Sequence, residues 1–220
     1  MLFLVGSPIG NLGDITLRAL EVLKDVVIIA AEDTRRSSVL LKRFDISKPL
    51  ISFHEHNEAR RTAELIERLR RGEKVALLTD AGMPSISDPG YRLVRACIET
   101  GIRVEVIPGP SAVLTALVGS GLPTDRFYFG GFLPVKSGQR ERELLAALTR
   151  GCTSIYFESP HRILKSLEVL RRADPHRVVC VARELTKQFE EYRRGEVESV
   201  FAHYEAHPAK GEITLVISGS

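Results

Sequence analysis

The sequence predicts an α/β protein of two domains, an open parallel sheet in residues 1–118 and a mixed sheet in residues 123–220. Three observations carry this prediction. In the first half, short, nearly continuous apolar runs alternate with helical patterns, as parallel strands buried on both faces require. At Gly119-Ser120-Gly121-Leu122-Pro123 that alternation breaks. Beyond the break an aromatic run opens a different order of strands and helices.

Taken in order, the strand-like runs of the first half are Leu2 to Val5, Val26 to Ala30, Leu50 to Phe53, Val75 to Thr79 and Val104 to Ile107. Helices fill the gaps. The first is expected to be capped by Asp14, and the second to start near Thr34 with Val39, Leu40 and Leu41 on its apolar side. The third spans Ala59 to Leu69. The fourth follows Asp88-Pro89, with Pro at its first position and Gly101 as its stop. The fifth begins at Ser111. In the second half, strands are expected at Phe127 to Phe129, Ser154 to Phe157, Val178 to Ala182, Glu190 to Arg194 and Ile213 to Ser218. Helices fall at Glu141 to Leu148, Ile163 to Leu170 and Ser199 to Ala206.

Composition sets the class. Of the 220 residues 44% are hydrophobic and 27% charged, with a net charge of +3. That balance permits a polyanionic partner without demanding one. Basic pairs such as Arg35-Arg36 and Arg70-Arg71 read first as solvated faces, since glutamates interleave them. Three cysteines, Cys97, Cys152 and Cys180, lie in apolar runs without a C-x-x-C, which predicts buried thiols in a reducing compartment. No run is long enough for a signal peptide core or a membrane span, so a cytoplasmic protein without membrane contact is expected. The six histidines include no zinc-type pairing with cysteine, and no metal is expected.

Candidate chemistry sits where strands end. Gly6 to Thr16 follows the first strand, yet it is neither a P-loop nor a G-x-G-x-x-G loop. Thr79 to Gly90 spends about a dozen residues, with two Pro, two Gly, two Asp and two Ser, on one strand end. This predicts a Pro-stiffened wall of backbone groups around a compact polar ligand, with Asp80 meeting a hydroxyl or amine. Ala31-Glu32-Asp33-Thr34-Arg35 brings two carboxylates to the same edge, and Asp33 serves either as a cap or in chemistry. Pro108-Gly109-Pro110-Ser111-Ala112 delivers a helix N-terminus. In the second half Glu158 to Arg162, Arg183 to Lys187 and Lys210 to Glu212 place acids beside bases. Together these clusters predict a shared cleft.

In this order SPIGNLGDITLRALEVL, AEDTR, TDAGMPSISDPG, PGPSA, GFLPVK, ESPHR, RELTK and KGE resemble the tetrapyrrole-methylase-like superfamily of S-adenosylmethionine (SAM) enzymes. Within it they resemble the branch that methylates the ribose 2′-hydroxyl of a cytidine in the decoding region of 16S rRNA. The likeness runs from residue 2 to residue 216, with Ser7 and Met83 where that branch is expected to carry Thr. The branch also carries a C-terminal helical segment, thought to help engage RNA, that this chain lacks. A natural extension is therefore expected beyond it.

The resemblance implies a homodimer acting on the small ribosomal subunit, with SAM in the cleft between two α/β domains. It implies cofactor contacts from Ile9, Asp80, Met83, Ser85, Ile86, Ser111 and Ala112, and from Phe157, Leu185 and Thr214. A ribose hydroxyl is a poor nucleophile at neutral pH, so a base or a charged network beside it is expected. Asp33 and Glu184 are the candidate bases or orienting carboxylates. Lys187 serves as base if burial lowers its pKa, and as electrostatic support otherwise. Arg35, Arg162 and Lys136 are candidates for holding phosphates, and Phe132 or His161 for stacking on an unstacked base. A tetrapyrrole or diphthine-type methylase of the same fold, and a non-catalytic RNA-binding or assembly factor, remain as alternative readings.

Overall fold

The five apolar runs of the first half become five parallel strands in the computed structural model, which describes Met1–Ser220 throughout. They are β1 (Leu2–Val5), β2 (Ile28–Ala31), β3 (Leu50–Ser52), β4 (Val75–Leu78) and β5 (Val104–Ile107), in the order β3-β2-β4-β1-β5. Only β1, β2 and β4 are buried along their whole length. The edge strands β3 and β5 are part-exposed, because a strand with one neighbour is covered on one side only. Of Val26 and Val27, expected in β2, Val26 instead caps the end of the preceding helix and Val27 lies in the bend before the strand.

Helices cover both faces of this sheet. On one face α1 (Leu17–Asp25) and α2 (Thr34–Arg43) press Ala19, Leu23, Leu40 and Leu41 onto Phe3, Val5, Ile29, Ala76 and Leu78. On the other, α3 (Glu58–Arg70) and α4 (Tyr91–Glu99) press Leu65, Ile66, Leu69, Leu93 and Cys97 onto Leu2, Leu4, Ile28, Val75 and Leu77. Each fully buried leucine contributes about 1.5–3 kcal/mol by its removal from water. The alternation of inward residues along each strand splits them between the two faces.

Two helix starts differ from expectation. Asp14 closes a short 3-10 turn, Leu12–Asp14, and Thr16 caps α1 by accepting from the Ala19 amide at 3.1 Å. Pro89 does not open α4. Gly90 is the cap, at a positive φ of 140°, and buried Glu58 of α3 takes its amide at 3.0 Å. Gly101, at φ 70°, follows the end of α4 as expected.

The helix α5 (Ala112–Ser120) joins the second unit, so the division falls at Ser111/Ala112 and not at the Gly-rich break expected near 119–123. Its Val113, Ala116 and Leu117 are buried, and it packs on strands of the second sheet. Arg194 ties to its end at the Gly119 carbonyl, 2.9 Å away.

That sheet runs β6 (Phe127–Phe132), β7 (Thr153–Glu158), β10 (Ile213–Ile217), β8 (Val178–Arg183), β9 (Glu191–Glu196) in spatial order. Only β6 and β7 are parallel; the other three pairs are antiparallel. A register shift between Phe129 and Phe132 takes up Gly130 and Gly131. Helices α6 (Ser137–Thr149), α7 (Ile163–Ala173) and α8 (Val197–Ala206) bury one continuous cluster around Tyr156, Val181 and Leu215. Cys97 and Cys180 are buried and their thiols pushed up to about 11 by desolvation, whereas Cys152 is only half-buried.

Candidate functional site

In the first unit, β4 and β1 are neighbours whose following helices leave to opposite faces. Such a reversal opens a crevice at the carboxyl ends of the strands. The strand ends stand level: Val5 is opposite both Leu78 and Ile107, and Ala31 is opposite Leu78. Three loops are locked together there. Ser7 and Gly82 exchange backbone hydrogen bonds of 2.9 and 3.1 Å, and the Ser7 hydroxyl donates to the Thr79 carbonyl at 3.0 Å. Gly6 and Gly109 meet back to back. A Cβ on Gly6 would stand 2.8 Å from the Gly109 Cα and from the Met83 sulfur.

The Thr79 to Gly90 loop is strained as well as long. Ser85 and Ser87 hold φ of 72° and 61°, where side chains other than Gly are uncommon. The Ser85 hydroxyl is buried and lacks a hydrogen bond partner. Ile9 is buried against Gly82, Met83 is half-buried, and Ile86 is largely exposed.

Four carboxylates gather at the ends of β2 and β4, in different states. Asp33 caps α2 through the Arg35 amide at 2.8 Å and grips the Arg35 guanidinium with both oxygens. These contacts hold its pKa far below the usual carboxylate range, which makes it a weak base. Asp80 accepts from the Asp33 amide at 3.0 Å and faces Arg36 at 3.3 Å, so it joins β2 to β4 before any ligand arrives. Burial raises Glu32, although the Asp80 amide partly offsets this. Asp88 is pushed up to about 7, first by burial and then by Glu32. Sequence reasoning passed over Asp88; only its place beside Glu32 and Asp80 distinguishes it from an ordinary residue before a proline.

The second unit gathers its own set. Glu184, at φ 51°, takes the Lys187 ammonium at 2.8 Å and the Glu212 amide at 2.9 Å; Lys187 also meets Glu212 at 2.9 Å. A Cβ on Gly211 would meet the Glu184 carboxylate and push that side chain from its place. The ion pair lowers Glu184, and hydrogen bonds to Glu184 and Glu212 raise Lys187 despite its partial burial. A Lys187 made basic by a lowered pKa is therefore not what this loop builds. Lys187 stays a cation.

Among the other expected residues, Phe157 and Thr214 are cross-strand partners, and Leu185 is buried just after β8. Phe132 is exposed with its ring 5.2 Å from Phe157. Arg162 is held by buried Glu158 at 2.8 Å, which also takes the Ser166 hydroxyl. His161 and Lys136 are exposed, with Lys136 at the start of α6. Arg35 is exposed but already engaged by Asp33. Ser111 ends the first unit, and Ala112 opens α5 in the second.

A family model described as tetrapyrrole (corrin/porphyrin) methylases matches residues 1–200. A protein named ribosomal RNA small subunit methyltransferase I from Thermotoga maritima is 48% identical, with 99% of this chain and 98% of that protein aligned. One of the same name from Mesorhizobium japonicum is 51% identical over 98% of this chain and 74% of that protein. Among solved structures, the uroporphyrin-III C-methyltransferase of Thermus thermophilus, complexed with S-adenosylhomocysteine, has a TM-score of 0.68. It is 20% identical, covering 99% of this chain and 96% of that one, a likeness of fold.

Proposed function

The chain belongs to the tetrapyrrole (corrin/porphyrin) methylase family, and from that premise we propose that it is a SAM-dependent methyltransferase acting on the ribose 2′-hydroxyl of a cytidine in the decoding region of 16S rRNA. The near-full-length identity of about half to proteins named for small-subunit rRNA methylation carries this reading. The small ribosomal subunit is its substrate particle, the cytoplasm its compartment and a homodimer its working form.

The residues at the first sheet edge fit a polar cofactor. The bare backbone at Gly6 and Gly109 leaves no room for side chains, and the unpartnered Ser85 hydroxyl offers a hydrogen bond to a ligand. Ile9, Asp80, Met83, Ser85, Ile86 and Ser111 are the residues proposed to hold SAM at this edge, and the family resemblance adds Ala112, Phe157, Leu185 and Thr214 to the proposed contacts. SAM, when bound, supplies a methyl group made electrophilic by its sulfonium.

The protein's task is then placement of the acceptor oxygen and exclusion of water. Glu184 and Lys187, fixed to each other and to Glu212, form a rigid charged group that steadies negative charge as it develops on the ribose oxygen. Asp33 positions Arg35, whose guanidinium meets a phosphate. Phe132, backed by Phe157, offers a face for an unstacked base, with His161, Arg162 and Lys136 around the RNA.

The decisive test is transfer of radiolabelled methyl from SAM to small subunits from cells lacking the modification, with the nucleotide then mapped. Label on the ribose of a decoding-region cytidine is the expected result. Label on a base, or label only on a tetrapyrrole or protein acceptor offered in parallel, refutes the reading.

A further inference from the structure

One face of α2 is the most lopsided charge distribution in the chain. Residues 34–49 contain five cations, Arg35, Arg36, Lys42, Arg43 and Lys48, against one carboxylate, Asp45. Their surplus of four exceeds the net charge of the whole chain, +3, so the remainder is slightly acidic. The helix itself holds no acid between Thr34 and Arg43. Its buried side is Ser37, Leu40 and Leu41. At 100° per residue this turns all four helical cations outward in one arc of about 120°, with exposed Val39 in the middle.

The cations of this face differ in what they do. Arg35 and Arg36, in the first turn, are spent on Asp33 and Asp80. Lys42 and Arg43, in the last turn, make no ion pair, and neither does half-buried Lys48 beyond it. The other basic pairs of this unit carry acids beside them: Arg70 and Arg71 are matched by Glu67 and Glu73, and in Arg60-Arg61 one of the two, Arg61, is matched by Glu64. Unpaired cations in the last turn also suit the helix dipole, but that explains neither Lys48 nor the missing acids.

We propose that this face of α2 and the following loop is a docking surface for the RNA backbone, carrying the strand away from the reaction site. This rests on the rRNA reading above. The face starts at the Asp33–Asp80 end of the sheet and runs about 10 Å along the helix axis to Lys42 and Arg43. Phosphates lie against Lys42, Arg43 and Lys48, and Val39 meets sugar or base between them. An RNA is the matching occupant because the surface combines consecutive unpaired cations with an apolar centre at the mouth of a site that takes a ribose.

The test uses the whole chain and its K42Q/R43Q/K48Q variant, with R70Q/R71Q as control. Affinity for a fluorescent single-stranded RNA and for unmethylated small subunits is followed from 50 to 300 mM salt, with SAM affinity and melting temperature alongside. Each lost phosphate contact lowers the slope of log K against log salt by about 0.7, so the triple variant shows a slope shallower by about 2. It also shows roughly tenfold weaker binding at low salt and a raised KM for subunits. SAM affinity and melting temperature stay those of the wild type, and the control matches wild type throughout. An unchanged slope in the triple variant, or an equal loss in the control, overturns the docking surface while methylation by the wild type leaves the rRNA reading standing. Wild-type binding to RNA without methyl transfer removes that reading, and the slope still judges the surface. No wild-type binding removes both.

Discussion

Replacing Gly6 by Ala drives a methyl group into the contact that joins three loops. The new Cβ would lie 2.8 Å from the Gly109 Cα and amide nitrogen and from the Met83 sulfur, whereas ordinary contact begins at 3.4 Å. Met83 can swing aside; the Gly109 backbone cannot, so the loops after β1 and β5 must part by about 0.6 Å. Overpacking of this kind costs about 1–3 kcal/mol, or roughly 2–12 °C of melting temperature in a chain of this size. The same parting displaces the groups proposed to hold SAM, and methyl transfer should fall on the order of tenfold. Gly109→Ala approaches the contact from the other side, 2.9 Å from the Gly6 Cα. Once one substitution has opened the gap, the second meets less resistance. The double variant should therefore lose clearly less than the sum of the singles. Gly151→Ala, with nothing within 4 Å, serves as control. Calorimetric melting and a SAM titration on the wild type and the four variants decide the matter. A Gly6→Ala protein with wild-type melting and SAM affinity, or strictly additive losses, refutes the shared contact.

Lys187→Met should reduce methyl transfer on the order of 10- to 100-fold while leaving SAM affinity near wild type, because Lys187 supports charge instead of taking a proton; a turnover rate equal to wild type refutes the role. Asp88→Asn tests the pH dependence of stability. The Asp88 carboxyl is raised to about 7 from an unfolded value near 3.8, so its folded form binds the extra proton between those values. Its burial thus removes stability as pH rises through that window. The melting temperature of Asp88→Asn relative to wild type should grow more favourable from pH 5 to pH 8, and a constant difference counts against the buried carboxyl. Thr16→Ala should cost about 1 kcal/mol in chemical denaturation and Asp14→Ala far less, since only Thr16 caps α1; equal effects would contradict this.

The strands were legible because continuous apolar runs such as Val75 to Leu78 have few alternatives to a buried parallel strand. The loops were legible because Pro and Gly crowd them at strand ends. What local pattern does not encode is competition between neighbours. Asp14 and Thr16 are both good caps, and the 3-10 turn at Leu12–Asp14 decided between them. Helix α5 is apolar on most sides, so nothing in Ala112 to Ser120 says which sheet it joins. The states of the candidate acids were hidden for the same reason. Asp33, Glu184 and Lys187 look alike as catalytic types, yet their partners Arg35 and Glu212 set their charge, and Glu212 lies 25 residues from Lys187. Asp88 owes its raised pKa first to burial in the folded loop and then to Glu32, on a different strand end, and neither is written in its local sequence.

The central place of β10 constrains how the second sheet is made. In a sheet ordered β6-β7-β10-β8-β9, the strand made last lies between two made earlier. During synthesis β7 and β8 emerge with open edges and no native partner between them. At 5–20 residues per second, the stretch from Glu158 to Ile213 takes on the order of 3–10 s. Until Ile217 is made, the ribosome carries two apolar edges that can pair with other chains. Removing β10 would split the sheet in two instead of shortening it.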